Sequence, residues 1–388
     1  MQAYDYIIAG GGCAGLSLAF HLLQSPLSHK KILIVDRSPK TENDRTWCFW
    51  TDKKTLFDPI LKGSWRQLQF KSADWTHTFD LKNWRYNMIR GIDFYEFILP
   101  QLQQQGNIDF VFGEIEILDA DKEKAWVKVN DETYYGNWLF DSTFSPAMFE
   151  QEKDLQKYHY ILQHFKGYVI NSPKAIFNPD IPVLFDFNIP QEQSARFVYI
   201  LPHSPTKALV EFTVFSKDLL PQKSYDQHLQ EYIHNNLQLK EYDIEETEFG
   251  IIPMTDHPLP QRPHPQKRIM HIGTKGGRSK PSTGYTFWRI QEDSKHIVES
   301  LQKTNQPFYT PITSKRFLEY DALLLNILQH QGEQIRPIFT EMFKNNSIQR
   351  IFRFLNEESS LAEDLKLMYS VPSRPFLEAL WKVKIGGN

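Results

Sequence analysis

The sequence predicts an α/β fold in which an N-terminal dinucleotide-binding unit is joined to a second, mixed sheet and a helical C-terminal region. The first 36 residues read as an apolar strand, a glycine turn, an amphipathic helix and a second apolar strand that ends in an acid. Residues 196–202 and 207–215 read as strands joined by a short proline-containing connection, which predicts a hairpin in a second sheet. Helical spacing is found at 222–239, from about residue 315 and again from Ile351.

The glycine turn has the G-x-G-x-x-G spacing of a dinucleotide site. Gly10 allows the tight turn, Gly12 lets the backbone approach a pyrophosphate, and Gly15 lets the helix pack closely on the strand. The N–H groups and the positive dipole end of the helix then face the phosphates. Asp36, about twenty residues beyond Gly15, can accept hydrogen bonds from ribose hydroxyls, and Arg37 follows it as a further candidate contact. The other interpretation is a glycine turn in an α/β domain that has lost its ligand.

Length and composition bear on the class of protein. At 388 residues the chain is longer than one usual domain, so a second domain or a large insertion is expected. A net charge of −3 and a pI near 6.5 argue against a nucleic-acid partner. Cys13 and Cys48 both lie inside candidate cofactor motifs, which favours a reducing cytoplasm over a disulfide framework. His203, His257 and His271 lack metal-ligand spacing with cysteines or acids, so no metal is predicted.

Hydropathy bears on the relation to membranes. The sequence has no apolar run of the roughly 18 residues that a spanning helix needs, its mean hydropathy is −0.48, and its N-terminus is already a core strand rather than a signal peptide. The protein is therefore expected in solution or at a membrane surface. Aromatic residues make up 14% of the chain, which is typical of a large core and also of an apolar ligand site.

A second candidate cofactor contact lies at residues 271–289, where a short strand, a loop rich in glycine and hydroxyl groups and a helix follow one another. Gly273, Gly276, Gly284 and Tyr285 are its candidate contacts, because backbone N–H groups of such a loop can reach ligand oxygens at a helix start. The alternative is an ordinary loop with a glycine cap.

Two charged residues complete the predicted dinucleotide site. Asp141 follows the apolar segment 135–140, and ligands collect at the carboxyl ends of strands in α/β sheets, so we expect it to help shape the site. Arg45 lies just beyond the second strand, near the expected pyrophosphate crevice, and is a candidate for contact with the cofactor. A surface salt bridge is the alternative for Arg45.

Three segments together resemble the bacterial lycopene β-cyclases: residues 43–50 (NDRTWCFW), 209–213 (LVEFT) and 280–287 (KPSTGYTF). The similarity extends from Tyr4 to residues 373–377. It implies a Rossmann-type FAD-binding domain of the p-hydroxybenzoate-hydroxylase-like or geranylgeranyl-reductase-like fold, with a second mixed sheet over the substrate. Many related flavoproteins have an acid after the glycine of the late loop, whereas this chain has Thr274.

The resemblance also implies a division of the chain. The FAD-binding domain is expected at residues 1–60, 86–160 and 263–300, the substrate domain at 61–85 and 161–262, and a C-terminal helical region at 301–388.

The resemblance implies an isomerase of the intramolecular lyase type. It would close the ψ-ends of lycopene into β-ionone rings, through γ-carotene to β-carotene, without net redox, with reduced FAD stabilising the carbocation and NAD(P)H as the reductant. Glu211 matches the glutamate of the family's F/L-x-E-x-T motif and lies in an apolar strand, where desolvation raises the pKa of a carboxyl and preserves its proton. The alternative is that strand alternation points Glu211 to solvent, with Val210 and Phe212 inward.

Six aromatic residues near these motifs are candidates for contact with the flavin ring or for lining a substrate tunnel, and ordinary core packing is the alternative for each: Trp47, Phe49, Trp50, Tyr285, Phe287 and Trp288.

A substrate that dissolves in membranes implies a cytoplasmic enzyme at the inner face of the cytoplasmic membrane. Residues 376–384 are amphipathic and basic at their end, which is typical of an interfacial contact, and packing of this helix on the body is the alternative. The expected partners are lycopene and related acyclic carotenoids drawn from the membrane, and other carotenoid enzymes.

Two other functions fit the same fold. An FAD-dependent monooxygenase or prenyl-lipid reductase would consume NAD(P)H in proportion to its product. A prenyl-lipid carrier would hold no flavin, and the intact glycine turn with Asp36 argues against it.

Overall fold

A computed structural model of the chain describes residues 3–73, 75–145, 157–310 and 314–384. The strands in these ranges are β1 Ala3–Ala9, β2 Ile32–Asp36, β3 Thr46–Thr51, β4 Gly63–Trp65, β5 Gln67–Ser72, β6 Trp75–Asp80, β7 Arg85–Arg90, β8 Ile108–Phe112, β9 Ile115–Ala120, β10 Ala125–Val129, β11 Glu132–Asp141, β12 Tyr160–Asn171, β13 Val183–Asp186, β14 Ala195–Pro202, β15 Lys207–Ser216, β16 Asp243–Thr255 and β17 Ile269–His271. The α-helices are α1 Cys13–Leu23, α2 Gly91–Gln103, α3 Gln222–Asn235, α4 Phe287–Thr304, α5 Lys315–His330, α6 Ile335–Asn345, α7 Ile348–Leu355, α8 Leu361–Tyr369 and α9 Ser373–Lys384.

The first sheet has the order β8-β2-β1-β11-β10-β9, with β17 also paired to β11. Strands β8, β2, β1, β11 and β17 are parallel, whereas β9 and β10 run antiparallel to their neighbours. The register aligns the carboxyl ends of the parallel strands, since Ala9 pairs with both Val35 and Asp141, and Asp141 pairs with His271. The predicted strand, turn, helix and strand of a dinucleotide-binding unit are therefore confirmed, and their carboxyl ends form one edge.

Helices α1 and α4 pack together on one face of this sheet. Leu18 and Ala19 of α1 lie in one buried cluster with Ile290, Ile297 and Leu301 of α4. Strand β17 thus returns the chain to the first sheet after the whole of the second sheet has been built, and α4 then packs beside α1.

The second sheet has the order β16-β12-β15-β14-β13-β5-β6 and is mixed, because β13 and β5 are parallel while its other neighbours are antiparallel. The predicted hairpin is the β14–β15 pair. Both faces of β15 are buried: Val210 and Phe212 pack against Tyr225 and Leu229 of α3, whereas Leu209 packs in the core on the opposite face.

A three-stranded antiparallel sheet, β3-β7-β4, lies beside the two larger sheets and is joined to the C-terminal helices by aromatic packing. Trp50 of β3 stacks on Phe352 of α7, with ring centroids 4.9 Å apart. Helices α5 and α7 correspond to the two C-terminal helices predicted from the spacing. Helix α7 begins at Ile348, three residues earlier than predicted, because the Ser347 side chain caps its first turn.

The division into domains stays a prediction. The three sheets show which segments share hydrogen bonds, and they do not set domain boundaries. Across the described ranges, no helix combines the length and apolar character that crossing a membrane requires.

Candidate functional site

A single cavity of about 1180 Å³ lies between the carboxyl edge of the first sheet and one face of the second sheet. Ten of the twelve predicted site residues line it: Gly10, Gly12, Asp36, Arg37, Arg45, Asp141, Glu211, Gly273, Gly284 and Tyr285. Gly15 and Gly276 are not part of the lining. The structure therefore brings the predicted cofactor residues and the predicted catalytic residue to one space.

One end of the cavity, the cradle, is formed by the first glycine turn and the start of α1. Gly10 has a φ of +99°, which favours glycine, and its N–H donates to the Val35 carbonyl. A Cβ on Gly12 would meet no atom of the described structure within 4 Å, so Gly12 borders open space. Helix α1 begins at Cys13 without a side-chain cap from any described residue and without an acid in its first turn. Its N–H groups therefore favour an anion in the cavity.

Gly15 contributes to the cradle through packing. A Cβ at this position would overlap the Gly10 carbonyl oxygen and come within 2.9 Å of Ile8 Cγ2. The close approach of α1 to β1 that was predicted for Gly15 is therefore present, and Gly15 lies behind the cavity wall.

Asp36 lies at the end of β2 and is held from two sides. Its Oδ2 accepts a hydrogen bond from Gly11 N at 2.6 Å, and its Oδ1 pairs with Lys40 Nζ at 3.0 Å. Arg37 is exposed and also lines the cavity. Arg45 forms the salt bridge that was its alternative, with Asp44 at 3.0 Å, and still borders the cavity with more than half of its side chain exposed.

Asp141 at the end of β11 is buried and ion-paired with Lys275 of the late loop. Its Oδ1 also accepts a hydrogen bond from Thr143 N at 2.9 Å. This ion pair connects the late loop to the first sheet. Lys275 was missed from the sequence, although its position two residues after Gly273 in a predicted cofactor loop could have suggested it.

The late loop meets the cradle through its glycines. Gly273 has a φ of +61°, and a Cβ there would lie 2.7 Å from the Cβ of Ala14 in the first turn of α1. Gly284 has a φ of +72° and borders Gln163 of β12 on the opposite wall. Gly276 is enclosed in the turn, where its N–H lies 3.2 Å from the Ile272 carbonyl, and this explains why it does not line the cavity.

Glu211 lies at the other end of the cavity, the roof, on the face of β15 opposite α3. It is neither solvent-facing nor packed among apolar side chains alone, since Thr213 Oγ1 donates to its Oε1 at 3.1 Å. Burial raises the pKa of Glu211 well above its usual value, and the charge of Glu248 and a hydrogen bond with Glu248 raise it further. Both effects favour the protonated form of Glu211.

Glu248 of β16 was missed from the sequence. Gly167 of β12 pairs in register with Glu211 on one side and with Glu248 on the other, and Glu211 pairs with Tyr199 of β14. The four residues form one row across four strands. Thr46 Oγ1 donates to Glu248 Oε2 at 2.8 Å. The sequence contains no local signal for the pair because its members come from separate strands.

Phenols and a thiol surround Glu211. Tyr285 is hydrogen-bonded to Tyr199 and Tyr86, and Cys48 is hydrogen-bonded to Tyr86. Burial raises the pKa of Cys48 to about 12 and raises the pKa of Tyr199 and Tyr285, so all three groups stay neutral.

The six aromatic candidates divide into two groups. Trp47, Phe287 and Tyr285 line the cavity. Phe49, Trp50 and Trp288 are packing residues: Phe49 stacks between Phe287 and Trp288, and Trp50 packs on Tyr285 and Phe352. In the part of the chain that the structure describes, no group of three or more His, Cys, Asp and Glu residues is placed to hold a metal ion.

The fold resembles that of several solved structures. It superposes on a geranylgeranyl bacteriochlorophyll reductase-like protein from Thermoplasma acidophilum with a TM-score of 0.58 at 12% identity, covering 99% of this chain and 97% of that one. It superposes on the flavin-dependent brominase Bmp2 with a TM-score of 0.62 at 12% identity, covering 94% and 97%. For the p-nitrophenol 4-monooxygenase PnpA from Pseudomonas putida, the TM-score is 0.60 at 12% identity, covering 99% of each chain. The predicted fold class is confirmed.

Sequence comparison identifies the family. The chain is 25% identical over 296 residues to the lycopene beta-cyclase of Pantoea ananas, covering 73% of this chain and 71% of that protein. It is 23% identical over 401 aligned positions to the lycopene beta-cyclase of Pseudescherichia vulneris, covering 98% and 97%. The family described as lycopene cyclase protein matches residues 5–381. The chain that builds this cavity belongs to the lycopene cyclase family.

Proposed function

We propose that the protein is a lycopene β-cyclase that closes the ψ-ends of lycopene, and of related acyclic carotenoids, into β-ionone rings without net redox. The product would form through γ-carotene to β-carotene. Family membership and two relatives named lycopene beta-cyclase support this proposal. The observation that carries it is that Glu211, whose pKa burial raises, faces the same cavity as the dinucleotide cradle.

The cradle fits FAD. Gly12 borders open space, the uncapped start of α1 offers N–H groups to a pyrophosphate, and Asp36 stands at the end of β2 where a ribose would lie. Arg37, Lys40, Arg45 and Lys275 also line the cavity, and the last three are paired with Asp36, Asp44 and Asp141. When bound and kept reduced by NAD(P)H, FAD would supply a negatively charged ring that stabilises a nearby carbocation.

Glu211 would donate its proton to the terminal double bond of the substrate. The charge that then develops on the carbon skeleton needs π-rich or anionic surroundings and the exclusion of water, which would otherwise trap the cation as an alcohol. Tyr285, Trp47 and Phe287 supply aromatic faces along the cavity. Glu248 beside Glu211 supplies negative charge at the roof.

The substrate would enter from a membrane surface. On α9, Ala379 is buried while Leu377 and Trp381 are 62% and 60% exposed, so one face packs on the body and the other is free for an apolar partner. On α8, Leu361, Leu365 and Tyr369 are exposed at spacings of four, which places them on one helical face. These faces suit contact with a bilayer at the inner face of the cytoplasmic membrane. Contact with other carotenoid enzymes stays a prediction.

The experiment that tests the function follows product and reductant together. Purified protein is incubated without oxygen with FAD, NADPH and lycopene in liposomes, beside Glu211→Gln. We expect bicyclic product in large excess over the NADPH consumed, and a loss of at least about 100-fold in rate for Glu211→Gln, because the amide has no acidic proton.

The same experiment distinguishes the alternative functions. Product matched one-for-one by NADPH would identify a reductase or a monooxygenase. A purified protein that binds no FAD and leaves lycopene unchanged would identify a carrier.

A further inference from the structure

Glu211 and Glu248 form a pair because the residue between them has no side chain. Both are register partners of Gly167 in β12. A Cβ at Gly167 would lie 2.8 Å from Leu209 Cδ1, 3.1 Å from Glu248 Cγ and 3.4 Å from Glu248 Oε1. A larger residue would therefore crowd the side chains of Leu209 and Glu248. A glycine in the interior of a strand weakens the strand, and here it lets two carboxyls meet across it.

The two carboxyl groups are held differently. Glu248 Oε2 accepts the Thr46 hydroxyl at 2.8 Å, and Glu248 Oε1 is buried. Within the described ranges, no N–H or O–H group donates a hydrogen bond to this Oε1. Glu248 therefore has one oxygen that is hydrogen-bonded to Thr46. Its other oxygen is buried and has lone pairs that can accept a proton.

Neither carboxyl is neutralised by a cation. None of the ion pairs among the described residues includes Glu211 or Glu248, although both line the cavity. The groups that face Glu211 are the neutral Tyr199, Tyr285 and Cys48 and the hydroxyl of Thr213. A second carboxylate in this position can accept a proton because it has no competing positive partner.

We propose that Glu248 is the base of the cyclisation: it takes the proton that the ring cation loses and returns it to Glu211, the carboxyl on the other side of Gly167. This inference rests on the proposed function. It assigns the acid and the base to the two residues that flank Gly167 in one row.

The steps balance in atoms and charge. The O–H bond of Glu211 breaks as a C–H bond forms on the terminal double bond, and the ring C–C bond closes. A C–H bond beside the cationic carbon then breaks, its electrons form the ring double bond, and its proton bonds to Glu248. Transfer of that proton to Glu211 restores the starting state, so no electrons are gained or lost.

Glu248→Gln tests the assignment, because the amide keeps the size of the side chain and an oxygen for Thr46 but is not a base. We expect a loss of about 100-fold in the turnover rate. The residual product should shift from β rings toward rings with the double bond elsewhere and toward alcohols, because the cation then loses its proton at other carbons or is trapped by water. Glu248→Asp should restore the β ring in part.

The matched control is Glu245→Gln. Glu245 lies on the same strand, is exposed, pairs with Lys207 and does not line the cavity, so its substitution should leave rate and product unchanged. Flavin absorbance and the unfolding midpoint of each variant show that the cradle and the fold persist.

Two outcomes separate this inference from the proposed function. Wild-type protein that makes no cyclised product would overturn the function. Wild-type activity combined with wild-type rate and β product in Glu248→Gln would overturn the inference and leave the function standing.

Discussion

The carboxylates at the two ends of the cavity differ in whether a lysine or arginine pairs with them. In the cradle each carboxylate has a cation: Asp36 pairs with Lys40, and Asp141 pairs with Lys275. At the roof, no lysine or arginine of the described chain pairs with Glu211 or Glu248. An opposite charge keeps a carboxylate ionised, whereas burial beside a like charge keeps one carboxyl protonated. The cradle is therefore suited to hold a charged molecule, and the roof is suited to hold a proton.

Removal of the cation from the cradle should have the largest effect. Lys275→Met leaves Asp141 buried without its lysine, which should lower stability by about 3 kcal/mol. Guanidinium unfolding of the purified variants measures this change. Adding Asp141→Asn to Lys275→Met should recover much of the loss, because the double variant buries no unpaired charge. If Lys275→Met were as stable as the wild type, the ion pair between Lys275 and Asp141 would not hold the late loop to the first sheet.

Two alanine substitutions should separate the binding role of the cradle from its packing role. Gly15→Ala forces a Cβ against the Gly10 carbonyl and Ile8, and such overpacking should cost about 1–3 kcal/mol of stability. Gly12→Ala adds a methyl group to open space, so stability should persist while FAD affinity falls at least about tenfold, since the methyl group occupies the place of a pyrophosphate. Unfolding curves and flavin titrations measure the two effects. Equal losses of stability in both variants would contradict this division.

The effect at the roof depends on pH and is measured as a slope. The pKa of Glu211 is raised in the folded protein above its ordinary value of 4.5. Above pH 4.5 the unfolded chain loses this proton while the folded protein keeps it, so stability falls as pH rises toward the raised pKa. Glu211→Gln removes the titration, so its stability relative to the wild type should rise by up to about 1.4 kcal/mol per pH unit in this window. Guanidinium unfolding at about pH 5 and pH 8 measures this slope, and the exposed Glu245→Gln should not alter it. If the stability of Glu211→Gln and that of the wild type changed with pH in parallel, Glu211 would be ionised in the folded protein.

The cradle could be predicted from the sequence because its parts are contiguous. Gly10, Gly12, Gly15 and Asp36 belong to one strand, turn, helix and strand, and each glycine has a local reason to be there. The late loop was also predicted as a segment. The ion pair between Lys275 of this loop and Asp141 was not predicted, since a lysine in a loop gives no signal of a buried partner on a strand.

The roof could be predicted only in part. Glu211 was identified by its motif, but alternation along β15 could not decide which way it points. The reason is that α3 buries one face of β15 and the cavity lies against the other, so neither face meets solvent directly. Glu248 and Gly167 were missed because their meeting depends on the register of β12, β15 and β16. A single sequence does not specify pairing between strands so far apart.

The aromatic residues show the same limit. Trp47 and Trp50 belong to one motif and one strand, yet Trp47 lines the cavity while Trp50 stacks in the core on Phe352 of a distant helix. Composition predicts that such residues are buried, and only the packing of the C-terminal helices decides which of them border the site.

Whether Glu211 adds a proton to lycopene without net redox is measured by the mass of the product formed in D2O with FAD and NADPH. Glu211 exchanges its proton with D2O before each ring closure, including the proton that Glu248 returns to it, so each ring that closes should gain one deuterium in place of one hydrogen, and no other mass should be added. Glu211→Gln should give no such product. A product heavier by added hydrogen or oxygen, or rings closed without deuterium, would contradict the account.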